Sequence, residues 1–149
     1  MSSSTFMLAM EAIRDAIRTL GLDGVDTEEV QVRRLPYDGQ DHWYRGITVH
    51  PVPETYGQGT NEREDIGYGC GVTLVQNNDN DSDYKLDQLL DWRETIRTYF
   101  VENSTLSGVS TTFTLKVEHG HVIDWDTLYD RNYDVSRLVV RVYSRETRT

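Results

Sequence analysis

The stretch Asp65–Gln76, DIGYGCGVTLVQ, reads as a β-strand with three glycines where three side chains belong. With a period of two, Ile66, Tyr68, Cys70, Val72 and Leu74 share one face, and Gly67, Gly69, Gly71, Thr73 and Val75 share the other. Glycine inside a strand sacrifices packing and backbone entropy, so three on one face demand that something else come close. A phosphate cradle is one candidate. The dinucleotide fingerprint opens a helix, however, and here Gly67-x-Gly69-x-Gly71 runs on into more strand. No Lys-Ser or Lys-Thr pair follows, so a P-loop fails too. The pattern therefore predicts a helix or a neighbouring subunit lying on the bare face. On that reading Gly69→Val overpacks the site by about 1–3 kcal/mol, and Thr73→Val is better tolerated.

Around this strand the periodicities alternate. Phe6, Ala9, Met10, Ile13, Ala16, Ile17 and Leu20 predict an amphipathic helix, with Ser4 or Thr5 to cap it and Gly21 to end it. Strands are predicted over 29–35 and 43–52, separated by a turn at Asp38-Gly39. Residues 53–65, PETYGQGTNERED, show no periodicity and predict a long polar loop of the kind that often carries function. A second helix is predicted over 83–103, capped by Ser82 or Asp81, with Leu86, Leu89, Leu90, Ile96 and Phe100 as its stripe. Arg93 falls inside that stripe, where its stem can pack while the guanidinium snorkels to water. Strands over 111–118 and 136–144 complete the order α-β-β-β-α-β-β. The expected fold is one α+β domain: a mostly antiparallel, mixed sheet of about five strands with two helices packed on one face.

Composition removes whole classes of function. The chain of 149 residues carries 25 acidic and 15 basic residues, a formal charge of −10, with the acidity concentrated between 51 and 100. Wrapping nucleic acid needs clustered Lys and Arg, so specific nucleic-acid binding is not expected. A single cysteine excludes a disulfide framework and a Cys-based zinc motif. No apolar run approaches a membrane span, and the Met1-Ser-Ser-Ser start lacks the basic residues of a signal peptide. The expectation is a soluble protein folded in a reducing cytoplasm.

Chemistry-bearing constellations are sparse. His119 and His121 share a strand face with Asp124 close by, a possible zinc or iron site for a metal-dependent hydrolase. No third histidine lies near and no H-E-x-x-H pattern exists, so no metal or other cofactor is expected. There is no G-x-S-x-G elbow, and Cys70 lies on the apolar face of its strand as a small core residue. The acidic pairs of the loops read as solvated charge. No enzyme is expected, and a monomeric small-ligand module is a further alternative.

The last strand says more. Arg137, Val139, Arg141, Tyr143 and Arg145 share one face, a basic ridge on an acidic protein. The ridge either pairs with carboxylates across the sheet or meets an acidic surface of another copy or another protein. On the second reading, Arg141→Glu weakens an oligomer and leaves the fold intact.

These segments together resemble the short tail-terminator (neck) proteins of long-tailed bacteriophages and prophages. The likeness rests on the first helix with its LDGV exit, GITVHPVPE, GTNEREDIGYGCGVTLV, LLDWRETIRTYF and VSRLVVRVYSRE. The resemblance implies a structural virion protein that assembles into a hexameric ring in the neck, after subunits fold in the host cytoplasm. Such a ring caps the tail tube, binds the tail-tube protein, and joins the tail to the head-connector or head-closure protein. DNA passes through it without specific binding. Another neck component, such as a head-closure protein, is the nearest alternative. No catalytic residue carries over. The positions expected to form subunit or ring contacts are Tyr56, Asn61, Arg63, Glu64, Gly69, Arg137, Arg141, Tyr143 and Arg145. The loop over 53–65 is expected to be mobile in the free subunit and ordered by contact with adjoining rings.

Overall fold

The computed structural model describes residues 4–33, 45–57, 63–77, 82–103, 106, 112–120, 122 and 133–147. Helix α1 spans Thr5–Thr19. The Ser4 hydroxyl accepts a hydrogen bond from the Met7 N–H at 3.1 Å, satisfying one of the orphan donors of the first turn. Gly21, at φ 62°, lets the chain leave in the left-handed conformation that glycine adopts without strain. A short 3₁₀ turn, Thr27–Glu29, then leads into strand β1, Val30–Val32.

The remaining elements are β2 (Arg45–Gly57), β3 (Arg63–Asn77), helix α2 (Ser82–Glu102), β4 (Thr112–His119) and β5 (Tyr133–Thr147). The five strands form one sheet in the order β1-β2-β3-β5-β4. β1 pairs with β2 in parallel, and the other neighbours pair antiparallel. β5 lies between β3 and β4, so β3 and β4 point the same way and α2 crosses between them as a split β-α-β unit. The fold is α+β, as the order of periodicities predicts.

Both helices lie on the face carrying Tyr68, Cys70, Val72 and Leu74, joined by Leu138, Val140 and Val142 of β5. Ile13 and Ile17 of α1 and Leu89, Trp92, Ile96 and Phe100 of α2 fill this layer at 1% exposure or less. Each such side chain contributes about 1.5–3 kcal/mol by leaving water. The Phe6 ring tilts against Tyr68 at 5.1 Å. Trp92 also finds a partner for its indole: Nε1 donates to the Asp23 carbonyl at 2.7 Å, which pins the α1–β1 connection against α2.

Arg93 departs from the snorkelling expectation. Its residue is only 7% exposed, and Nη1 donates to Ser136 Oγ at 2.9 Å and to the Arg137 carbonyl at 2.6 Å. Nη2 reaches the Gly120 carbonyl at 3.4 Å. The guanidinium turns inward where β4 ends beside β5: the Arg137 carbonyl, which also accepts from the Gly120 N–H at 3.2 Å, the Gly120 carbonyl and Ser136 Oγ lie together, and a multi-donor fork can meet several at once. Burial, with Arg97 nearby, lowers its pKa from the ordinary value.

The predicted polar loop over 53–65 is mostly strand. β2 continues to Gly57, β3 begins at Arg63, and β5 stays in register with β3 from Asn77↔Tyr133 to Arg63↔Thr147. A bulge between Val52 and Thr55 absorbs an extra residue next to Pro53, which has no N–H to offer a ladder. Backbone pairing with β3 and β5 carries these strand ends without apolar alternation. Tyr56, Arg63 and Glu64 therefore belong to an extended hairpin, and Asn61 lies outside the described residues.

Cys70 is fully buried in this layer, and burial, opposed by the Arg141 charge, pushes its thiol up to about 12. The folded protein is expected to leave a chromogenic disulfide reagent unreacted over minutes at neutral pH, and to consume one equivalent once unfolded in denaturant. Rapid reaction of the native protein would show that the strand opens locally.

Candidate functional site

The bare glycine face is not covered by a helix. Both helices occupy the opposite face, because only Ile66, Tyr68, Cys70, Val72 and Leu74 offer them a continuous apolar surface. The glycines instead admit side chains of the flanking strands. Gly69 is paired with Val52 on one side and Arg141 on the other, and Gly71 with His50 and Val139. A methyl group at Gly69 would collide with Val52 Cγ2 and stand 2.9 Å from both Arg141 Nη1 and the Pro53 carbonyl oxygen. One at Gly71 would run into the His50 imidazole, with Nε2 at 2.7 Å. The close approach foreseen for this face is real, but its source is cross-strand.

Arg141 is the centre of the arrangement. It is 9% exposed, and its Nε lies 2.8 Å from Glu118 Oε1 and 3.1 Å from Oε2. Its Nη1 passes over the β3 backbone and donates to the Pro53 carbonyl at 2.8 Å, at the β2 bulge. One guanidinium thus ties β4 and the bulge of β2 to β5, with charge-assisted bonds on both sides. The expectation that Arg141→Glu spares the fold does not hold. Reversal would set two carboxylates together inside one chain and orphan a carbonyl.

His50 forms the second lock. Its Nε2 lies 2.8 Å from Thr73 Oγ1, and its Nδ1 is 3.4 Å from the Pro51 carbonyl. Both residues are buried, so Thr73→Val removes a needed partner rather than being the tolerated change that the bare-face reading expects. Desolvation lowers the His50 pKa below its ordinary 6.5; the Pro51 carbonyl opposes this and the Arg137 charge adds to it.

The rest of this sheet face is graded. Thr48 and Thr73 are fully buried, Val52, Val139 and Tyr143 are half-buried, and Lys116 and Arg145 are exposed. Lys116 pairs with Arg141 across β4 and β5 and holds its Nζ 5.9 Å from the Tyr143 ring centroid. Arg137, Arg141, Tyr143 and Arg145 are therefore brought together with Gly69 on one face. Tyr56, Arg63 and Glu64 sit on the hairpin that extends the same strands. The partners Glu118, Lys116, Pro53 and His50 escape sequence reasoning, since nothing local states which strand lies beside β5. The one available signal is alternation, which puts Lys116 and Glu118 on a common face of β4.

Elsewhere the described residues hold little chemistry. His119 is exposed at the end of β4, His121 and Asp124 lie outside the described residues, and no group of three metal-ligating side chains occurs among the described ones. A groove of about 390 Å³ separates α1 from the end of α2, lined mainly by Ala12, Ala16, Tyr99 and Leu106. Among the described residues, no helix is long and apolar enough to cross a membrane. No protein-family model matches the chain, and no curated protein matches it.

Two outcomes are expected from this geometry. Gly69→Ala should destabilise by about 1–3 kcal/mol, and Gly69→Ala with Arg141→Ala should cost clearly less than the two singles added, since both disturb one lock. Thermal melts of the four proteins give the cycle; strict additivity would mean that Gly69 and Arg141 do not share a site. Second, the unfolded chain holds its His50 proton more tightly than the folded one. The His50 contribution to stability is therefore complete above about pH 6.5 and is lost as pH falls through the lower folded value. Melting temperature should decline from about pH 7 to about pH 5 more steeply in the parent than in His50→Gln. Parallel curves would remove His50 from the acid response.

Proposed function

We propose that this protein is a structural virion component: a ring-forming tail terminator that caps the tail tube and joins the tail to the head connector. Catalysis plays no part in this role. The observation that carries the reading is the unequal dressing of the sheet. Helices cover one face, while the other presents half-buried Val139 and Tyr143 beside exposed Lys116 and Arg145 at the end where the strands run on into the hairpin. A face mixing apolar area with cations is suited to contact with protein rather than to solvent alone. The resemblance across nearly the whole chain points the same way. A formal charge of −10 is compatible with a conduit whose wall repels DNA phosphate.

In this role Tyr56, Arg63 and Glu64 of the β2–β3 pair, together with Asn61, would contact an adjoining ring, and the β5 ridge would face a neighbouring subunit. The purified protein should appear by native mass spectrometry as a closed oligomer and by electron microscopy as a ring with a central opening. Added to polymerising tail-tube protein, it should bind tube ends and arrest growth. A chain that stays monomeric at every concentration and ignores tube ends would sink the proposal.

A further inference from the structure

The two layers carry opposite charge on their outer sides. On α2 the exposed Asp87, Asp91 and Glu94 follow the three- and four-residue spacing of one helix face, exposed Glu102 returns to that face eight residues later, and Asp23 is held against the same helix by the Trp92 bond to its carbonyl. None of these carboxylates makes an ion pair among the described residues. Like charges at three- and four-residue spacing repel along a helix, so the stripe is a cost to the isolated chain. On the other side of the molecule, the open sheet face bears Lys116, Arg137, Arg141 and Arg145, with Arg33 bonded to Gln31 at its β1 edge, against Glu118 and Asp65, the cross-strand partner of Arg145. The excess there is positive.

We infer that copies of this chain associate head to tail, with the acidic outer stripe of α2 on one copy lying on the open β4–β5 face of the next. Like-to-like pairing would set carboxylate against carboxylate, or Lys116 and Arg145 against themselves. A two-fold dimer through either face is therefore disfavoured, and a heterologous contact is the complementary one. The dimensions agree. Asp87 to Glu102 spans about 22 Å of helix, and Val139 to Arg145 spans about 20 Å of strand. Val139 and Tyr143 supply apolar area between the cations, and exposed Leu86 and Val101 flank the acidic stripe. A heterologous contact between opposite sides of a subunit generates a ring when its rotation closes. The inference rests on the ring reading for that closure and names the contact through which the ring forms.

Charge exchange tests it. One variant reverses the sheet face (Lys116→Glu with Arg145→Glu) and another reverses the stripe (Asp87→Lys, Asp91→Lys and Glu94→Lys). All five positions are exposed, and circular dichroism establishes that each variant is folded. Each alone should associate at least about tenfold more weakly than the parent at low salt. An equimolar mixture should regain assembly with the two variants alternating, because every contact again joins unlike charge. Independently, a zero-length carbodiimide should link Lys116 to Asp87, Asp91 or Glu94 between copies of the parent oligomer. If the parent forms rings but both variants assemble as it does and no such link appears, this contact is wrong and the ring reading stands. A parent that never associates removes both.

Discussion

The crossing of β3 by the Arg141 side chain organises much of what surrounds it. A guanidinium can span a strand only where that strand has no side chain in the way, and Gly69 provides the gap. Through it one residue near the end of the chain holds Glu118 of β4 and the carbonyl at the β2 bulge. The bulge in turn shifts the register of β2 against β3 beyond Pro53. Gly71 repeats the device on a smaller scale, giving room to the His50 ring and its bond to Thr73. Glycines that look like a weakness in one strand are the condition for packing the strands on either side.

This arrangement makes the sheet two-faced in a particular sense. The helical face is ordinary hydrophobic packing, closed by Trp92, Phe100 and the two isoleucines of α1, with Arg93 reaching through it to the Arg137 and Gly120 carbonyls. The other face has no helix, and its inner part is filled by short cross-strand contacts rather than by apolar bulk. Its outer part keeps the Lys116 and Arg145 charges exposed beside the half-buried Tyr143 ring. A fold so divided is stabilised mainly through one layer and leaves the outer part of the other at the surface.

Much of the architecture is legible in the sequence. The period of 3.6 around Ile13 and again around Leu89, the period of two in the strands, the Ser4 cap and the Gly21 stop are all local, and local rules read them. Cys70 as an inert core residue followed from the alternation alone. The hairpin was misread as a loop because its ends alternate nothing apolar, so pairing leaves no hydrophobic trace there. Arg93 was misread because the carbonyls that draw it inward belong to residues far along the chain.

For this protein the sequence by itself determined which residues form helices, which form the central strands, which strand face is apolar and which is bare, and that the last strand carries a basic ridge. Only the tertiary structure decided what fills the bare face. The reason is strand order: β5 comes last in the chain yet lies between β3 and β4, so Gly69 meets Arg141 and Arg141 meets Glu118. Side-chain period is set residue by residue, whereas the identity of a neighbour across a sheet is set by the global packing of both helices onto the one face that can bury them.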